Sequence, residues 1–88
     1  NVNFTLPATA DLPAGWECTF FNAADVNMTV TAGTADTMVT FNDVAADSIA
    51  FSTTAEKVGG GVKIIKGASK IFALVMLGAE TQTPTIAT

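Results

Sequence analysis

Carboxylates, lysines, hydroxyls and a single thiol are the only side chains with which this chain could do polar chemistry, because its 88 residues include no His, no Tyr and no Arg. The most versatile general base, the phenolic acid and the bidentate anion clamp are therefore missing. Asp43 and Asp47 stand four apart with Asp36 upstream, but carboxylates grouped in a loop form a solvated turn more often than an acid/base pair. Asp36, Asn42, Asp43 and Asp47 are the one oxygen set that would suit calcium, and their spacing does not follow the EF-hand loop. The run Gly59-Gly60-Gly61-Val62-Lys63 lacks the second glycine before Lys-Ser/Thr, and the following helix, that a phosphate loop needs. Cys18 is the only cysteine, so it can form no internal disulfide, and it has no histidine to activate it. Trp16 is the residue most like a sugar-stacking platform, yet its alternation with Cys18 and Phe20 assigns it to a buried sheet face. The triplets Asn3-Phe4-Thr5 and Asn27-Met28-Thr29 are formal glycosylation sequons of a kind common in Thr-rich β-proteins. The expectation is a protein that is not an enzyme and binds no cofactor or metal.

The elements that would carry these residues are strands. Val2, Phe4 and Leu6 alternate, as do Trp16, Cys18 and Phe20, with the period of two that puts one set of side chains on one sheet face. Between them Pro7 and Pro13 remove backbone donors, and Gly15 permits a conformation that a Cβ would forbid, so the chain leaves the ladder there. Further strands follow at Met28–Ala32, Met38–Phe41 and around Ile49 and Phe51, with Asn42–Asp47 read as a loop. Three glycines open a hairpin from Val62–Ile65, through Lys66-Gly67-Ala68-Ser69, to Lys70–Leu77. Such spacing predicts an all-β chain, an antiparallel β-sandwich or small barrel of about seven strands. Residues 1–79 make one domain, and 80–88 a Thr-rich C-terminal arm held in place only if a neighbour binds it.

Composition points to association. A chain of this size buries only roughly 60–65% of the surface its unfolded form exposes, yet 49% of its residues are hydrophobic and 14% charged, with a mean hydropathy of +0.43. The closing strand is apolar on both faces: Ile71, Ala73, Val75 and Leu77 point one way, Phe72, Leu74 and Met76 the other. A half-wet antiparallel strand would alternate cleanly, so this one lies mid-sandwich or against a second subunit. Phe72, Leu74, Val75, Met76 and Leu77 are the candidate interface residues of a homo-oligomer. A net charge of −4 with four lysines argues against nucleic acid and against an anionic membrane as partners. All four lysines lie between 57 and 70, and serve either as solvated edge charges or as a basic rim for an acidic neighbour. The longest apolar run, Ile71–Leu77, is far short of the roughly 20 residues a membrane helix needs. The N-terminus has neither the basic region nor the apolar core of a signal peptide.

The run FTLPATADLPAGWECTFFNAADVNMTVTA, from Phe4 to Ala32, resembles a small β-module of tailed-bacteriophage virion proteins, found in fibres, spikes and head decoration proteins. In that module a strand, an LP…LPAGW connection, a second strand ending in Asn and a Thr/Val-rich third strand recur. KVGGGVKIIKGASKIFALVMLGA, from Lys57 to Ala79, is similar to its closing hairpin, with Phe72 where the module often has Trp. The resemblance implies a non-enzymatic virion component, made in the bacterial host cytoplasm and carried on the capsid surface. Its most specific form is a trimeric decoration, or cement, protein bound to the major capsid protein. The alternative is a module of a tail fibre or spike that attaches to a host carbohydrate receptor. On the decoration reading, Lys57, Lys63, Lys66, Lys70, Thr83, Thr85 and Ile86 are the candidate capsid contacts.

Overall fold

A computed structural model describes residues 1–33, 36–40, 43–52, 57–77 and 84–87. The strands among these are β1 (Val2–Thr5), β2 (Glu17–Phe21), β3 (Met28–Thr31), β4 (Met38–Thr40), β5 (Asp43–Ala46), β6 (Ser48–Phe51), β7 (Gly61–Lys66), β8 (Ile71–Met76) and β9 (Thr85–Ala87). A 3-10 turn, Thr9–Asp11, interrupts the connection between β1 and β2. The protein is all-β, as expected.

Three features differ from the expectation. The strands form two mixed sheets, a four-stranded one in the order β1-β3-β6-β9 and a five-stranded one in the order β2-β7-β8-β4-β5. β1 runs parallel to β3 and β4 parallel to β8. The β1–β3 pair is parallel because β1 and β2 belong to different sheets: the Pro/Gly connection carries the chain across to the other sheet, and β3 returns in the direction of β1. Neither sheet closes into a barrel. Asp43–Ala46, expected as a loop, is a strand paired with β4 across a register shift. Within the expected arm, Thr85–Ala87 pairs with β6, and Ile86 lies opposite Ile49.

Period-two alternation sets the inner faces. Met28 and Val30 of β3 and Ile49 and Phe51 of β6 are buried from one sheet, and Met38, Val62, Ile64, Ile71 and Ala73 from the other. All belong to one cluster, against which Trp16, Phe20, Val75 and Ile86 pack from its margin. At one margin the sheets are linked by Phe4 of β1 and Phe20 of β2, whose ring centroids lie 4.9 Å apart. Gly15 and Gly59 both have φ of 90°, a conformation that side-chain-bearing residues rarely adopt.

Gly60 is required for another reason. It is buried, and a Cβ there would collide with the Phe51 ring, one of the largest fully buried side chains. Gly60→Ala should lower stability by about 1–3 kcal/mol, the usual cost of overpacking a filled core. Urea denaturation measures this, and an unchanged midpoint would mean that the connection to β7 yields freely.

Candidate interaction surface

The residues that stand out lie on the outer face of the five-stranded sheet. β8 buries Ile71 and Ala73 and turns Phe72, Leu74 and Met76 outward, leaving them 40%, 53% and 40% exposed. Phe21 of β2 is 63% exposed and Val44 of β5 71%. Register brings several of these together: Gly61 of β7 lies between Phe21 and Met76, Ile65 is opposite Phe72, and Val39 is on the far side of Phe72.

Two glycines shape this face. Beside Gly61, the place a Cβ would occupy lies 3.3 Å from Met76 Cε and 3.6 Å from Phe21 Cδ1. The Phe20 carbonyl oxygen stands closer still, at 2.7 Å, so the site has no room for a side chain and Met76 and Phe21 flank bare backbone there. At Gly67, a Cβ would stand 2.7 Å from Phe72 Cε2, so the Phe72 ring lies down over the β7–β8 turn. That turn is closed by the Gly67 N–H donating to the Lys70 carbonyl at 2.8 Å. By contrast, Thr29 and Thr31 of β3 and Ser48 and Ala50 of β6, which alternate with the buried residues, give the four-stranded sheet a small, polar outer face.

Of the five expected interface residues, Phe72, Leu74, Met76 and Leu77 are exposed, the last at 41%. Val75 is not available: its neighbours in the alternation are outward-facing, so it turns inward and packs against the core. The expected capsid contacts do not form one patch. Lys66 is buried, and its Nζ donates to the Leu12 carbonyl at 3.1 Å; its backbone position opposite Ile71 turns it inward with the core residues. Lys63 lies on the outer face beside Leu74 and pairs with Glu17 at 3.1 Å. Lys57 and Lys70 flank opposite ends of β7. Thr85 is exposed in β9, while Ile86 is half-buried against the core. Thr83 falls outside the described residues.

Two of the three carboxylates singled out for chemistry serve the backbone. Asp36 Oδ2 accepts the Thr9 N–H, tying the 3-10 turn to the β3–β4 connection, and Asp43 Oδ1 accepts the Ala45 N–H, each at 2.8 Å. Cys18 is a free, half-buried thiol opposite Ile64. Trp16 packs against the core and its carbonyl accepts the Lys66 N–H at 2.8 Å.

Asn22 is the residue that sequence reasoning passed over. It is buried, and its Nδ2 donates to the Val26 carbonyl at 2.9 Å and to the Lys57 carbonyl at 3.0 Å. Its backbone N–H donates to the Gly60 carbonyl, and its own carbonyl accepts from the Gly59 N–H, both at 2.8 Å. One amide thus joins the β2–β3 connection to the glycine turn that starts β7 and positions Phe21 beside Gly61. The signal was present: an Asn closing an apolar strand ahead of an Ala-Ala-Asp turn.

Comparison with protein-family models, curated proteins and solved structures finds no match to this chain.

Asn22→Ala should cost about 2 kcal/mol, since it strands two carbonyls that the amide satisfies. Chemical denaturation reads the loss, and a cost below about 0.5 kcal/mol would mean that water replaces the amide. Lys63→Ala should change stability by less than about 1 kcal/mol in the same assay, as exposed ion pairs contribute little.

Proposed function

We propose that this chain is a non-enzymatic structural module whose two sheets form a β-sandwich, and that it assembles as a homotrimer through the outer face of its five-stranded sheet. In this reading it is a virion component, a decoration protein that binds and stabilises a bacteriophage head shell. The observation that carries it is the outward row Phe72, Leu74 and Met76 on β8, joined across Gly61 to Phe21. Adjacent exposed large apolar side chains mark an association surface, and covering them from water at about 25 cal/mol per Å² of apolar area drives association. The virion assignment draws its support from the resemblance of the Phe4–Ala32 and Lys57–Ala79 segments to phage β-modules. The occupant of the β8 face is a further copy of the same chain, because a small module presenting one such face per copy can cover it by rotation about a closed symmetry axis. A trimer on a shell then multiplies modest contacts through simultaneous engagement.

Light scattering should give a mass of three times the 9.0 kDa of a single chain, or a whole multiple of that where trimers associate further. Leu74→Asp or Met76→Asp should dissociate the assembly by placing an unpaired charge in the contact, whereas Thr31→Asp, on the polar face of the other sheet, should leave it intact. A wild-type chain that scatters as a monomer at micromolar concentration would end the assembly reading. Heating particles with and without the protein tests the decoration role: its removal should lower the temperature of capsid rupture. An unchanged rupture temperature, with a few copies confined to the tail, would assign the chain to a fibre or spike instead.

A further inference from the structure

Among the described residues, the edge strand β1 differs from the other sheet edges in carrying neither charge nor proline to keep a second strand away. Sheet edges are normally guarded by charge, proline or shortness. β2 carries Glu17, β5 begins on Asp43, and β9 is three residues long and follows Pro84. β1 has no such guard: the first charged side chain in the chain is Asp11. All of β1 is exposed.

Its hydrogen-bonding groups are arranged for a partner. The Val2 N–H donates to the Asn27 carbonyl and the Leu6 N–H to the Thr31 carbonyl, both at 2.8 Å, so the even-numbered residues of β1 bond to β3. The amides and carbonyls of Asn3 and Thr5 therefore point away from the sheet. Beside this edge lies an apolar trough of about 200 Å³, lined in part by Val2, Phe4, Phe21, Val26 and Met28.

We propose that β1 pairs with β1 of a second copy of this chain, antiparallel about a twofold axis at Phe4, so that two four-stranded sheets become one. The occupant follows from self-complementarity. When Asn3 of one copy faces Thr5 of the other, the outward groups of both are satisfied. Phe4 then faces its own counterpart in a close, non-hydrogen-bonded pair, and Val2 comes opposite the buried Leu6 at the end of the ladder. Apolar residues thus meet apolar ones over the trough, polar residues meet polar ones on the other face, and no charged side chain is brought near its like. Pro7, without an N–H, limits how far the ladder can extend. The strand pairing itself is made through the other sheet, with Phe21 belonging both to the trough and to the β8 face; together the two contacts would link one assembly to another.

Thr5→Pro tests the pairing, because it removes an outward donor and no bond to β3, and edge positions tolerate proline. Sedimentation equilibrium over a concentration series should give wild-type assemblies of twice the mass of Thr5→Pro assemblies, with the same far-UV circular dichroism spectrum for both and a wild-type unfolding midpoint that rises with concentration. The twofold ratio should persist when both carry Leu74→Asp, which separates this contact from the β8 face. In the wild type, exchange of the Asn3 and Thr5 amide protons should slow as concentration rises. Equal masses for wild type and Thr5→Pro at every concentration, or Thr5 amide exchange indifferent to concentration, would overturn the proposal. If Leu74→Asp dissociates the protein while Thr5→Pro does nothing, the β8 reading stands and this one does not; the reverse result removes only the β8 reading.

Discussion

The burial of Val30, Ile49 and Phe51 from one sheet together with Met38, Val62, Ile64 and Ile71 from the other is the interaction on which everything else rests. A chain this short has side chains enough for one sealed apolar layer and no more. Each sheet can therefore cover one face only, and the character of the two remaining faces is a matter of which residues alternate with the core. On β3 and β6 they are threonine, serine and alanine. On β8 they are phenylalanine, leucine and methionine, and a face of that kind is incompletely shielded from water in an isolated chain.

Closing that layer requires the connections between the sheets to be held firmly, and this is done with few groups. Asn22 joins two connections through its side-chain amide, Lys66 reaches back to Leu12, and Asp36 holds the 3-10 turn. Each satisfies a backbone group that would otherwise lack a partner where water has limited access. Polar side chains that appeared suited to chemistry are thus used in part to tie the backbone of the connections, and the outer face of the five-stranded sheet around β8 is apolar. Both facts support the proposed structural module that works by association.

Much of this was legible from local pattern. The strand positions at Val2–Leu6, Trp16–Phe20, Met28–Ala32, Ile49–Phe51 and through the closing hairpin follow from alternation broken by Pro, Gly and Asp, because a period of two has only one regular backbone that satisfies it. Asp43–Ala46 was not legible, since two alanines and an aspartate lack strand preference and are held extended by pairing with β4. β9 was hidden for a similar reason: Thr-rich residues near Pro84 read as an arm until β6 offers them a ladder. The burial of Lys66 was equally hidden, because a lysine in an alternating strand reads as a solvated edge charge until its register opposite Ile71 is known.

By itself, then, the sequence determined which side chains are available, which of them share a face, and where the chain must turn. These are properties of residue type and of neighbours a few positions away. Only the tertiary structure decided which sheet each strand joins, that β1 and β4 find parallel partners, that Val75 turns to the core while Leu74 turns to solvent, and that β1 is left at an edge. The physical reason is that alternation divides a strand into two faces without saying which will be covered. That choice depends on residues distant in sequence, whose contacts form only when both sheets enclose the same core.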